Sequence, residues 1–272
     1  MADQSLDSAL NAHASSHKCV DAPLLAGKTA IVTGSGRNLG RSVALAFAQA
    51  GANVVLNGHR DMAALESVAK EVEAYGVSAL CHLADVSDPD AVQHMADVAI
   101  ERFGRVDVAV SNVGLRLHQP FLEISVADWR RTLETSLSSA FYLARAVLPG
   151  MKERGWGRLI HISGRDGFFT LPNRAHNVSA KAGLHSLAKA IAIEFGPYNI
   201  TANTIAPGKM DTERDEAHYP GYRERWAAAT AAMPLRRLGT GEDVAEACLY
   251  FCTPQSYATG QLVHLNGGEF LY

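Results

Sequence analysis

The sequence predicts an α/β fold: a doubly wound parallel sheet with helices on both faces, in a single domain. Three observations carry that expectation. Short β-branched or apolar runs alternate with longer amphipathic segments. A glycine-rich turn, Gly34-Ser35-Gly36-Arg37-Asn38-Leu39-Gly40, separates the first such run from the first amphipathic segment. No repeat or low-complexity linker interrupts the order. Strands alternating with helices read as βαβ units, whose crossovers place helices over both faces of a parallel sheet.

The elements follow in order. Residues 28–33 form a first strand and 39–50 a helix; 53–57 are a second strand, followed by a helix from 62 to about 75. Residues 78–84 are a third strand, 89–103 a helix and 106–111 a fourth strand. A long helix spans 126 to about 152, then come a strand over 158–163 and a helix over 175–195. Residues 200–205 form a sixth strand and 261–265 a late one. The domain covers 25–272, and 1–24 are a polar N-terminal tail, read as loosely ordered or as an arm on a partner subunit.

Composition narrows the function classes. The 272 residues are 47% hydrophobic and carry a formal net charge of -3, enough for a full core and without the clustered positive charge that nucleic acid requires. No apolar run is long enough for a membrane span, and the N-terminus lacks an apolar signal core, so a cytoplasmic location is expected. Of the cysteines at 19, 81, 248 and 252, the last two share a helix face without nearby His or carboxylate ligands. They read as a buried structural pair, with no metal site expected.

The glycine turn points to a dinucleotide. Its place between a strand and a helix lets backbone approach a pyrophosphate, which the helix N-terminus attracts. About twenty residues on, Gly58 stands where NAD-specific sites carry an acidic residue for the ribose. Arg37, His59 and Arg60 supply positive charge nearby, which favours NADP(H) over NAD(H).

These features resemble the short-chain dehydrogenase/reductase family, with its Rossmann-type sheet, and in particular its 3-oxoacyl-ACP-reductase-like members. The resemblance rests on Thr33, Gly34 and Gly40 of the glycine loop, with Asn38 where the family usually has glycine. It continues through Asp85-Val86, Asn112 and Gly114, the Pro207-Gly208 segment reaching Met210 and Thr212, and the C-terminal Asn266-Gly267-Gly268. It implies that Gly34 to Gly40, Gly58, His59, Arg60, Asp85, Val86, Asn112, Gly114, Lys181, Pro207, Gly208, Met210 and Thr212 bind the cofactor. It also implies a homo-oligomer, tetramer or dimer, and a substrate lid over about 209–235.

At the positions of the family's proton-transfer residues the chain departs from it. Lys181 matches the family lysine, but Asn177 stands in the tyrosine place, Gly164 in the serine place and Ser136 in the relay-asparagine place. A carboxamide does not ionise near neutral pH, so Asn177 cannot act as general acid or base. Candidate replacements are Arg165 and Asp166, read either as binders of an acidic substrate or as an ion pair, and His176, whose helical position turns it from Asn177. Arg116, His118 and Arg174 should rim the cleft, and Tyr219, Tyr222 and Trp226 fall in the lid. Ser163 should face away from Gly164 along the strand. The leading expectation is an NADP(H)-dependent oxidoreductase acting on a small carbonyl, alcohol or imine substrate by an atypical proton transfer. The alternatives are a non-redox lyase or isomerase and a catalytically silent NADP(H)-binding protein.

Overall fold

A computed structural model describes residues 22–169, 171–213, 221–254 and 256–271. Residues 1–21 of the expected 1–24 tail, including Cys19, and Tyr219 lie outside the described residues. Leu25 is fully buried, and its N–H donates to the Ala50 carbonyl.

Seven strands form one parallel sheet. β1 (Thr29–Val32), β2 (Asn53–Gly58), β3 (Ala79–Leu83), β4 (Val108–Ser111), β5 (Gly157–Ile162), β6 (Ile200–Pro207) and β7 (Leu262–Leu265) lie in the order β3-β2-β1-β4-β5-β6-β7. Direction of winding reverses between β1 and β4, which opens a crevice at the carboxyl ends of those strands. Period-two alternation sends side chains to two cores. Ala30, Val32, Val54 and Leu56 pack on one side with Val43, Phe47 and Phe251, whereas Ile31 and Val55 pack on the other with Met95, Leu143 and Ile191.

The covering helices are α1 (Asn38–Gln49), α2 (Met62–Glu73), α3 (Pro89–Phe103), α4 (Val126–Leu133), α5 (Ser139–Arg154), α6 (Ala175–Phe195), α7 (Tyr222–Ala232) and α8 (Gly241–Cys252). α8 carries Cys248 and Cys252 into the first core, and burial pushes the Cys252 thiol up to about 12. The long helix expected from 126 to about 152 is interrupted. A π-turn at Glu134–Ser138 joins α4 to α5, and it contains Ser136. Such bulges insert one extra residue per turn and re-aim neighbouring side chains. Here the displaced Ser136 hydroxyl accepts a 2.9 Å bond from the Leu115 N–H, tying α4–α5 to the loop after β4. No described helix is long and apolar enough to cross a membrane.

Candidate functional site

Buried polar contacts hold the glycine loop in place. The Asn112 side chain donates to the carbonyls of Thr33 (3.0 Å) and Gly34 (3.2 Å), while its N–H donates to the Thr33 hydroxyl at 2.9 Å. Ser35, counted from the sequence among nucleotide-binding residues, is fully buried. Its N–H donates to the Asn57 carbonyl at 2.9 Å, and its hydroxyl accepts from the Asn57 N–H at 3.0 Å. Ser35 therefore supports the loop from behind rather than facing a ligand. Asn57 was missed in the sequence. Its amide accepts from the Gly34 N–H at 3.3 Å and donates to the Ala84 carbonyl at 3.2 Å, joining the loop to β2 and β3. An Asn within the apolar run Val54-Val55-Leu56 was the available signal, because a buried amide needs partners.

The loop fits a dinucleotide phosphate. Side chains cap the N-termini of α2 (Asp61), α3 (Asp88), α4 (Ser125) and α8 (Thr240), but none caps α1, and its first turn holds no acidic residue. Its N–H groups and dipole are left to an anion. A Cβ at residue 40 would overlap the Gly34 carbonyl oxygen, so close approach of helix to loop requires glycine there. Gly40→Ala is expected to cost about 1–3 kcal/mol by overpacking, seen as a lower Tm, together with weaker binding of a nicotinamide dinucleotide in a fluorescence titration.

Asn38 adopts φ 51°, a left-handed conformation that Asn tolerates better than most side chains. Its amide also ties down the segment after β6. The side chain donates to the Glu213 carbonyl at 3.3 Å and accepts from the Glu213 N–H at 3.0 Å, next to Thr212. A glycine could make neither bond.

At the ribose end, Gly36 and Gly58 both face the Leu65 side chain, which draws the loop and the end of β2 together. Arg37, His59 and Arg60 are exposed. His59 lies 3.6 Å from Asp85, whose carboxylate is held below the usual range mainly by hydrogen bonds from Ser87. Val86 is buried beneath it. The Met210 side chain enters the core, so Met210 offers only backbone to a cofactor.

Beyond the carboxyl ends of β5 and β6 lies a cavity of about 110 Å³, and much of the sequence-derived set converges on it. Gly164, Arg165, Asp166, Asn177, Lys181, Pro207 and Gly208 line it, with Arg116, His118, Arg174, Lys209 and Trp226. α6 brings Asn177 and Lys181 to one face, one turn apart. Ser136 and Gly114 sit behind the wall: a Cβ at 114 would lie 3.0 Å from Lys181 Nζ and 3.8 Å from the Ser136 hydroxyl. His176 is fully buried and absent from the lining. This places it away from the replacement acid–base role considered from the sequence. Ser163, expected to face away from Gly164, also lines the cavity, while its hydroxyl meets the Lys181 carbonyl (3.2 Å) and His185 Nε2 (2.7 Å). Gly164 is backbone only, and a Cβ there would meet nothing closer than the Pro207 carbonyl at 4.0 Å, so a serine would fit.

Lys181 Nζ donates to the Ile162 carbonyl at 3.0 Å and has no carboxylate partner among the described residues. Burial lowers its pKa from 10.5 to about 7, aided by repulsion from Arg116. Asp166 organises the N-terminal end of α6. It accepts from Asn177 Nδ2 at 2.6 Å and from Arg174 at 2.9 and 3.1 Å. The carboxylate fixes which way the amide points, since only Nδ2 can donate to it. Asn177 Oδ1 is left buried and without a protein partner among the described residues.

Comparison with known proteins agrees with this geometry. A family model described as enoyl-(acyl carrier protein) reductase matches residues 34–269. The chain is 32% identical over 252 residues to a D-beta-hydroxybutyrate dehydrogenase of Rhizobium meliloti (strain 1021), covering 89% of this chain and 98% of the relative. It is 31% identical over 245 residues to the 3-oxoacyl-[acyl-carrier-protein] reductase FabG of Staphylococcus aureus (strain Mu50), covering 90% of this chain and 98% of the relative. A crystal structure of a short-chain type dehydrogenase/reductase from Mycobacterium marinum superposes with a TM-score of 0.83 at 32% identity, over 90% of this chain and 96% of that one. With a family model matched over residues 34–269 and relatives above 30% identical over about nine-tenths of the chain, the chain belongs to the short-chain dehydrogenase/reductase family.

Proposed function

We propose that the protein is an NADP(H)-dependent oxidoreductase acting on a small alcohol, carbonyl or imine, with Lys181 moving the proton in place of a tyrosine. The observation that carries this reading is the setting of Lys181. Lys181 lines the cavity beside Asn177, and burial brings its pKa to about 7, where ammonium and amine are both populated at neutral pH. When bound, the reduced nicotinamide supplies a hydride. Lys181 supplies the proton to a carbonyl oxygen, or removes it from a hydroxyl in the reverse direction.

Asn177 orients the reacting group. With Nδ2 committed to Asp166, Oδ1 is the amide's remaining hydrogen-bonding atom; it only accepts, and it is buried without a protein partner among the described residues. It therefore suits a group that carries a hydrogen-bond donor, a hydroxyl or the N–H of a protonated imine. Arg37, Gly58 and Arg60 support the NADP(H) preference, since no acidic side chain at 58 repels a 2′-phosphate. A homo-oligomer is part of the proposal, supported by the exposed apolar side chains of Phe141 on α5 and Ile193 on α6.

The test is a fluorescence titration of nucleotide-free protein with NADPH and NADH, followed by an absorbance screen of alcohols, ketones and imines. Selective NADPH binding with turnover supports the reading; absence of binding by either nucleotide removes it. Gly58→Asp is expected to weaken NADPH binding by about tenfold or more and to shift preference towards NADH. A Cβ at 58 would lie 3.3 Å from Leu65, which has to give way by a few tenths of an ångström.

A further inference from the structure

The charges around the cavity do not balance. Arg116, Arg165, Arg174, Lys181 and Lys209 all line it. Three of these cations are already partnered. Arg174 is bound to Asp166, Arg165 lies 3.9 Å from Asp166 and pairs with Glu269, and Lys209 pairs with Glu269 as well. The other two have no carboxylate. Lys181 is bonded to a backbone carbonyl, and Arg116 makes no ion pair or hydrogen bond among the described residues. The two are close enough for the Arg116 guanidinium to depress the Lys181 pKa.

Two further features share the sign. α6 begins at the cavity: its N-cap residue Arg174 and its first-turn residue Asn177 both line it. No side chain caps that end and no acidic residue occupies its first turn, so about half a positive charge from the helix dipole faces inward. His118 adds little, because burial, with Arg174 nearby, lowers its pKa and favours the neutral ring. Arg116 is exposed on its loop, so its guanidinium is hydrated when the cavity is empty and exchanges that water for an anion that enters.

Building on the oxidoreductase reading, we infer that the substrate is a small molecule bearing a carboxylate, which Arg116 receives while the reacting carbon lies between Asn177 and Lys181. A guanidinium presents two parallel N–H groups that match the two oxygens of a carboxylate, a fit that an ammonium lacks. One free guanidinium suits a singly charged head group better than a phosphate dianion. Arg116 is thus a specificity-determining residue on the loop after β4.

The experiment uses isothermal titration calorimetry on the full-length protein, with and without NADP⁺. The probes are pyruvate, its neutral amide pyruvamide, and inorganic phosphate. Pyruvate is expected to bind about 10- to 100-fold more tightly than pyruvamide, the worth of one charge-assisted hydrogen-bonded pair. Added salt should narrow that gap. Arg116→Gln should abolish the preference and Arg116→Lys should retain part of it, with NADPH affinity unchanged in both. Equal binding of pyruvate and pyruvamide, binding of neither, a preference that survives Arg116→Gln, or tighter binding of phosphate than of pyruvate overturns the inference. The nucleotide titration is read separately. NADPH binding without anion discrimination defeats only the carboxylate, whereas anion discrimination without NADPH binding defeats the cofactor reading and leaves Arg116 as an acid-binding residue.

Discussion

Lys181→Met is expected to remove turnover and to stabilise the fold at the same time. Loss of a positioned acid–base group should lower kcat/KM by about 100- to 10,000-fold. The unmodified protein supplies the matching pH dependence. Carbonyl reduction needs the ammonium and should decline as pH rises through about 7; alcohol oxidation needs the amine and should rise through the same value. A pH–rate profile checks both limbs, and a flat profile in both directions would remove Lys181 from proton transfer.

The stability effect has the opposite sign because burial disfavours the charge. The unfolded chain keeps its proton up to the ordinary 10.5, while the folded chain releases it near 7. Between those values the unfolded state binds more protons, so folding stability contributed by this group rises with pH; below about 7 the penalty is constant and full. Met fills a similar volume without the charge. The variant should therefore gain at least about 1 kcal/mol near pH 6, or roughly 2–4 °C in Tm for a chain of this size. The gain should shrink as pH climbs towards 10.5. A residue kept at a cost to stability is what a functional site requires, and a stabilised, inactive variant would separate function from folding.

Asp166→Ala should act in the reverse direction, as the largest single loss of stability around the site. Its carboxylate holds Asn177 at 2.6 Å and Arg174 at 2.9 Å, with Arg165 at 3.9 Å. Removing it leaves buried donors unmatched and cations facing one another. Breaking a buried ion pair from one side costs about 3–5 kcal/mol. The Arg174 and Arg165 side chains keep 20% and 18% of their surface exposed, which screens part of that loss, so about 3 kcal/mol is expected. That corresponds to a Tm lower by roughly 6–12 °C, measured by calorimetry. Activity should fall too, because Asn177 is then free to rotate and Oδ1 is no longer fixed towards the substrate. A Tm change within error would show that the cluster contributes nothing net.

The parallel sheet, its order of elements and the glycine loop were legible because each is written in near neighbours. Alternation along Val54-Val55-Leu56 sorts side chains between two cores, and a spacing of four puts Asn177 and Lys181 on one helix face whatever surrounds them. The substitutions at 136, 164 and 177 were equally plain, since they replace one residue type by another at fixed distances from Lys181. The sequence could not show which polar side chains support the site and which face it. Ser35 and Asn57, 22 residues apart, meet only because β1 and β2 pair. Arg165 and Glu269, 104 residues apart, meet only because the segment after β7 returns across the cavity. His176 and Asn177 are adjacent in the chain, yet one is sealed in the interior and the other lines the cavity. The sequence by itself determined the scaffold, the glycine loop and the position of Lys181, because periodicity and spacing act over a few residues. Only the tertiary structure decided that Asn177 is committed to Asp166 with Oδ1 unpaired, and that Arg116 has no carboxylate among the described residues, because ion pairing and burial are settled by which distant segments the fold brings together.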